Sequence, residues 1–249
     1  MINRFLKKLY FGNNFRTIIY ILKFLSIFNK KYKSRISFYN FFKKRKKKYE
    51  KKILEIMYHP KIFILPFPYD AEKLINKIYN YDNLYKKNEF SSHGHVNVYQ
   101  SDHNLELNPN FFDVCKNLEL SINSKLYKYT DNEKLIINKL WFVITKNLGV
   151  IKKHSHFNSD FSGALYLNVD ENPKKNNGLR IHNILGGIDI YRYSIEENKF
   201  YKNICNDKTF LLSPNKMDLI IFNSYIEHSV ENKDSKIIDR ISLPFDLIF

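Results

Sequence analysis

From about residue 137 onward, short apolar runs alternate with turn-forming residues. KLWFVITK, GALYLNV, GLRIHNI, DLIIFNS and RISLPFDLIF are rich in β-branched or aromatic side chains and are separated by Gly, Asn, Asp or Pro. Several short strands at such spacing predict a barrel or jelly roll. Upstream the pattern is mixed. KIFILPFPYD reads as a strand that ends in a turn around Pro66 and Pro68. Asp70 is placed to cap a helix over Ala71–Asn80, with apolar positions Leu74, Ile75 and Ile78. HVNVYQSD alternates as a short strand, and residues 110–129 carry near-helical apolar spacing. The expected fold is therefore mainly β (α+β), a jelly-roll or cupin-like core with flanking helices. No internal repeat is visible.

Charge divides the chain more sharply than hydropathy does. Residues 1–52 hold 17 Lys/Arg and a single acid, Glu50, whereas residues 53–249 hold 24 of each sign. This predicts a basic, aromatic N-terminal helical segment (1–52) followed by one neutral domain (53–249), with mixed α/β support over 53–136 and a β core over 137–249. Within the basic segment the 12-residue stretch Thr17–Phe28 is mostly apolar and is broken by Lys23. It is shorter than the roughly 20 residues a spanning helix needs, and no small-residue cleavage site follows it. The run Lys43–Lys48 adds six consecutive positive charges. Three readings stay open: a helix lying on an anionic membrane surface, a helical pair packed on the body with its lysine heads in water, and nucleic-acid binding. The last ranks lowest, because no groove-reading motif accompanies the charge.

Apolar residues make up 44% of the chain and aromatics 16%, enough for a sizeable core. Cys115 and Cys205 lie in no metal-binding or paired spacing, so a disulfide framework is not expected. A reducing, cytoplasmic setting fits, peripheral on the membrane if the basic segment binds there.

The candidate chemistry lies near the C-terminus. His154 and His156, in HSHFNSDFSGALYLN, would share a side of an extended backbone, since side chains alternate with period two. His228, in LIIFNSYIEHSVEN, is separated from them in sequence, yet a jelly roll can make such strands neighbours. Alone, each would read as a surface or hydrogen-bonded imidazole; together, at strand ends, they point to a metal. Arg240 opens the last apolar strand. Turned inward it would be an uncompensated buried charge that an anionic ligand would relieve; turned outward it would form a surface pair with Asp239. Ser242 would face the same way as Arg240 and offer a hydroxyl to the same anion.

Taken together, WFVI, H-S-H-F-N-S-D-F-S-G-A-L-Y-L, G-L-R-I, I-I-F-N-S-Y-I-E-H-S-V and D-R-I-S-L-P-F resemble the iron(II)/2-oxoglutarate-dependent oxygenases. More narrowly, they are similar to the family among these with H-x-H followed by S-G-x-Y-Y. The likeness covers about residues 95–249. It implies a double-stranded β-helix holding iron(II) through His154 and His228, with Arg240 and Ser242 anchoring the distal carboxylate of 2-oxoglutarate. Tyr166 or Asn168 would line the cosubstrate pocket, although Tyr166 is equally suited to core packing. The implied activity is hydroxylation of a C–H bond, with release of succinate and carbon dioxide. The usual facial triad is two histidines and one carboxylate, and here His156 stands where the carboxylate would be. His156 is the preferred third ligand. Asp160 could instead supply the carboxylate, or His156 could face substrate with water completing the metal shell. Asn158 and Arg180 are substrate-contact candidates, and His182 is read as structural. The expected substrate is a small molecule, sugar or peptide. Two alternatives remain: a three-histidine cupin-type metalloenzyme that does not use 2-oxoglutarate, and a non-catalytic membrane-surface protein on a degenerate β-helix scaffold.

Overall fold

The computed structural model describes residues 60–81, the backbone of 85–86, and residues 95–156, 158–169, 178–182, 187–232 and 239–249. All belong to the compact unit Ile56–Phe249. The basic segment expected over 1–52 lies outside the described residues. Among those described, no helix is long and apolar enough to cross a membrane.

Among the described residues, two helices and thirteen strands follow one another. β1 (Lys61–Pro66) leads to α1 (Ala71–Tyr79), then β2 (Tyr85–Lys86) and β3 (Val96–Gln100), and then α2 (Phe112–Leu126). The remaining strands are β4 (Ile136–Leu140), β5 (Val143–His154), β6 (Phe161–Asn168), β7 (Leu179–His182), β8 (Ile188–Ser194), β9 (Lys199–Cys205), β10 (Thr209–Leu212), β11 (Asp218–Asn223), β12 (Glu227–Asn232) and β13 (Asp239–Ile248). Asp70 caps α1 by accepting from Lys73 N at 3.1 Å, as the sequence predicts. Helix α2 buries Val114, Leu118, Ile122 and Leu126, a single stripe at i, i+4 spacing.

The strands form a curled mixed sheet in the order β10-β7-β12-β5-β13-β6-β11-β1-β8-β9. Pairing is antiparallel except between β1 and β8. This is the double-stranded β-helix type of jelly roll. The continuous apolar runs of β1 and β11 arise because both faces are buried. Phe63, Leu65, Leu219 and Ile221 pack in the core shared with the helices. Their alternates Ile62, Ile64, Ile220 and Phe222 pack in a second core with Tyr166, Leu179 and Val230. Strand β13 divides in the same way, with Ile241, Leu243, Phe245 and Leu247 all in the helix-side core.

β5 joins the two halves of the roll. Its first part, Val143–Lys146, pairs with β13, and its second, Gly149–His154, pairs with β12. Leu148 lies between them at φ +58°. An added Cβ at Gly149 would fall 2.6 Å from Lys146 O and 2.9 Å from Asn97 O, so only glycine fits this turn of the strand. Gly163 of the S-G pair is equally constrained. β6 is pressed between β11 and β13, and a methyl there would meet Ile220 O at 2.5 Å and the Phe245 ring at 2.6 Å. Gly163→Ala is expected to destabilise the domain by about 1–3 kcal/mol through overpacking. A lowered urea midpoint with an unchanged slope would register this.

Two expectations are corrected, and three strands went unread. KLWFVITK is two strands rather than one, broken where Trp141 N donates to Pro244 O at 3.1 Å. The helix expected over 110–129 holds α-geometry only from Phe112 to Leu126, with 3-10 turns at both ends. Strands β8 to β10 lack a clear apolar alternation, and β9 is mostly exposed, which hid them from periodicity.

Candidate metal centre and adjoining cavity

His154 ends β5 and His228 is the second residue of β12, and the two sit directly opposite across the antiparallel pair. Cross-strand partners bring Cβ atoms to about 5 Å, and the ring centroids here are 4.3 Å apart. His156 lies two residues past the strand end, tied by its N–H to Ser224 O at 2.9 Å. Its ring is 5.3 Å from that of His154 and 5.2 Å from that of His228. One nitrogen of each imidazole lies within 4.8 Å of the others.

The tautomers follow from the partners. His154 Nδ1 is 2.8 Å from Lys152 O and His228 Nδ1 is 3.0 Å from Ile226 O. His156 Nδ1 is 2.8 Å from Asp246 Oδ1. A carbonyl or carboxylate at Nδ1 keeps the proton on that atom, so Nε2 is the nitrogen by which each ring could take a metal. Burial, followed by the adjacent His154 and His156, pushes the pKa of His228 well below its ordinary value. The neutral imidazole that ligation requires is thus the favoured form. Three neutral nitrogen donors suit iron, zinc, copper or nickel.

The histidines line a cavity of about 260 Å³ whose wall also holds Arg240, Ser242 and Tyr166. Arg240 is 2% exposed, which excludes the surface pairing with Asp239; that carboxylate is held instead by Lys146 at 2.7 Å and Tyr79 Oη at 2.8 Å. The guanidinium stands 5.0 Å from the Tyr166 ring centroid. Its Nε and Nη2 are buried without a hydrogen-bond partner among the described residues. Burial lowers the Arg240 pKa and raises that of Tyr166, and the proximity of the two groups partly offsets both shifts. A buried cation left partly unsatisfied in this way is costly, and an anion in the cavity would relieve it.

The structure also places five further candidate residues. Asn158 lines the cavity. Asn168 does not: β6 is irregular between Tyr166 and Asn168, which interrupts the alternation, and its amide donates to Asp239 O at 2.7 Å. Asp160 is not among the cavity-lining residues either, and its carboxylate accepts from Phe249 N at 3.2 Å. Arg180 alternates with the inward Leu179 and Ile181 and lies on the opposite side of β7 from the cavity. His182, beside it in β7, bonds Ser229 Oγ at 3.0 Å, in keeping with a structural role.

Sequence reasoning missed His95, Gln100, His103, Lys139, Trp141 and Asp246, all on the cavity wall. Trp141 stacks on His156 with centroids 5.8 Å apart, and His103 lies 4.7 Å from the Trp141 centroid. Asp246 had a signal. Arg240, Ser242, Pro244 and Asp246 are alternate residues of β13 and all face the cavity.

The β-helix thus brings together three convergent histidines that could hold a metal ion, beside a buried arginine. Residues 139–246 match the model of the family described as Putative 2OG-Fe(II) oxygenase. No curated protein matches by sequence. By structure, the chain is similar to HygX from Streptomyces hygroscopicus with nickel, 2-oxoglutarate and hygromycin B bound (TM-score 0.53, 11% identity, 79% of this chain and 86% of that one). It is also similar to SnoN, the non-haem alpha-ketoglutarate-dependent epimerase of nogalamycin biosynthesis (TM-score 0.50, 10% identity, 80% of this chain and 81% of that one). At these identities the likeness concerns the fold.

Proposed function

We propose that the protein is an iron(II)- and 2-oxoglutarate-dependent dioxygenase that hydroxylates a C–H bond of a small-molecule, sugar or peptide substrate. The observation that carries this reading is the pairing, in one cavity, of three convergent histidines with a buried guanidinium whose Nε and Nη2 lack partners among the described residues. A dianion with a chelating end and a free carboxylate matches both features. His154, His156 and His228 would hold the iron. Arg240, with Ser242 across from Tyr166 on the neighbouring strand, would hold the far carboxylate. Bound iron(II) with 2-oxoglutarate supplies oxidative decarboxylation to succinate and carbon dioxide, coupled to oxidation of the substrate by dioxygen.

The chain's own residues do the rest. Tyr166 and Phe222 close the apolar side of the cavity, which lowers the local dielectric and strengthens the arginine–carboxylate contact. Gln100, His103, Trp141 and Asn158 form a polar and aromatic wall suited to orienting a hydrogen-bonding substrate. HygX, a protein of similar fold, binds hygromycin B, which agrees with a polar small molecule as one substrate class. A three-histidine enzyme without 2-oxoglutarate gives Arg240 no role.

Thermal-shift measurement tests the cosubstrate directly. With nickel(II) present, 2-oxoglutarate at 100 times its Kd should add about 2.7 kcal/mol of stability, several degrees in Tm for a domain of this size. No shift at millimolar 2-oxoglutarate would contradict the reading.

A further inference from the structure

The three histidines are not equivalent in what they lean on. His154 and His228 direct Nδ1 to main-chain carbonyls, whereas His156 directs Nδ1 to a carboxylate, Asp246 Oδ1, at 2.8 Å. His156 also occupies the place where a two-histidine, one-carboxylate site would have its acid. We propose that Asp246 is a positioning residue for the metal centre. Its buried carboxylate fixes the His156 ring and supplies, through that ring, the negative charge that a directly ligating carboxylate would carry. The proposal rests on the metal site of the preceding section.

Charge arithmetic favours it. A divalent ion with two histidines and a carboxylate has a net charge of +1, whereas three neutral histidines leave +2. Asp246 returns the assembly to +1 from one bond further out. Carboxylate–histidine–metal arrangements raise the basicity of the ligand and fix its tautomer.

Geometry favours it as well. Asp246 is 4% exposed, and a carboxylate at that depth is costly unless it is held. Ser162, its cross-strand partner on β6, donates Oγ–H to Oδ1 at 2.7 Å. Lys139, its partner on β4, reaches Oδ2 only at 3.9 Å from a partly exposed position. Oδ1 is thus fixed by Ser162 on one side and His156 on the other. Trp141 covers the His156 ring at 24° to its plane. The ring is therefore held by its main-chain bond to Ser224, by the indole face and by Asp246.

The experiment is nickel(II) titration of the full chain by calorimetry, with Tm recorded for each variant. Asp246→Asn should weaken nickel(II) binding by about 10–100-fold while leaving the Tm of the metal-free protein near the parent's. Ser162→Ala, a milder change, should weaken it several-fold in the same direction. In the His156→Asp background the sign should reverse. There the new carboxylate faces Asp246 directly, so adding Asp246→Asn should restore binding several-fold. Asp246→Asn weakening binding equally in both backgrounds would reduce Asp246 to a packing residue and overturn the proposal. So would affinities within twofold of the parent for both Asp246→Asn and Ser162→Ala. If His154→Ala and His228→Ala also bind nickel(II) as the parent does, the metal site itself fails, an outcome distinct from failure of the Asp246 proposal alone.

Discussion

Arg240→Met should make the metal-free protein more stable and leave it unable to bind 2-oxoglutarate. The parent keeps a guanidinium 2% exposed, with Nε and Nη2 unpartnered among the described residues, in a cavity whose wall includes Tyr166, Val143 and Ile151. Replacing buried charge by an apolar side chain of similar volume stabilises other proteins by about 1–4 kcal/mol. For a domain of this size each kcal/mol amounts to roughly 2–4 °C in Tm. The same change removes the cation at the far end of the cavity. A charge-assisted bidentate contact in a low-dielectric pocket is the largest specific term available to a dicarboxylate there, so turnover should fall at least 100-fold. Differential scanning of the apo protein and calorimetry with 2-oxoglutarate measure the two halves separately. A variant that is less stable and still binds 2-oxoglutarate would mean that Arg240 is a structural residue.

His228→Ala should abolish metal binding with little loss of fold. His228 is the most buried of the three ligand candidates, paired with His154 across β5 and β12, packed against Phe222 at 4.8 Å between centroids and bonded to Ile226 O. It is buried in its neutral form, so truncation removes a ligand and creates a small cavity rather than stranding a charge. A stability loss of about 1–3 kcal/mol is expected from that cavity. The metal affinity should fall by orders of magnitude, because two histidines cannot close a facial site. His154→Ala should match it in metal loss but cost less stability, since His154 is only partly buried. Metal content after dialysis and a denaturant midpoint separate the two effects.

The parts of this architecture that were legible in the sequence share a property: their periodicity is unbroken. β13 alternates cleanly, so Arg240 and Ser242 could be assigned to one face before any fold was known, and Asp246 is the next polar residue on that face. Helix α1 was legible from its cap and its buried Leu74 and Ile78. The illegible parts are those where period and geometry part company. The irregularity in β6 turns Asn168 away from a face that simple counting assigns to it. The break at Trp141 hid the residue that covers His156 inside what reads as one apolar run. His95 and His103 reach the cavity from the β3 region, and nothing in their local sequence distinguishes them from surface imidazoles. That β5 bends at Leu148–Gly149, pairing with β13 before the bend and β12 after it, is a tertiary fact. It is what brings Arg240 and His228 to one cavity.

The central claim is that the three histidines and Arg240 form a single metal and 2-oxoglutarate site. Succinate formation from 2-oxoglutarate by purified protein with iron(II), ascorbate and oxygen, run beside His228→Ala, tests it most directly. Slow substrate-independent succinate release that vanishes in the variant is the predicted result. Equal succinate yields from the two proteins, or no release together with no binding of iron(II) or 2-oxoglutarate by the parent, would contradict it.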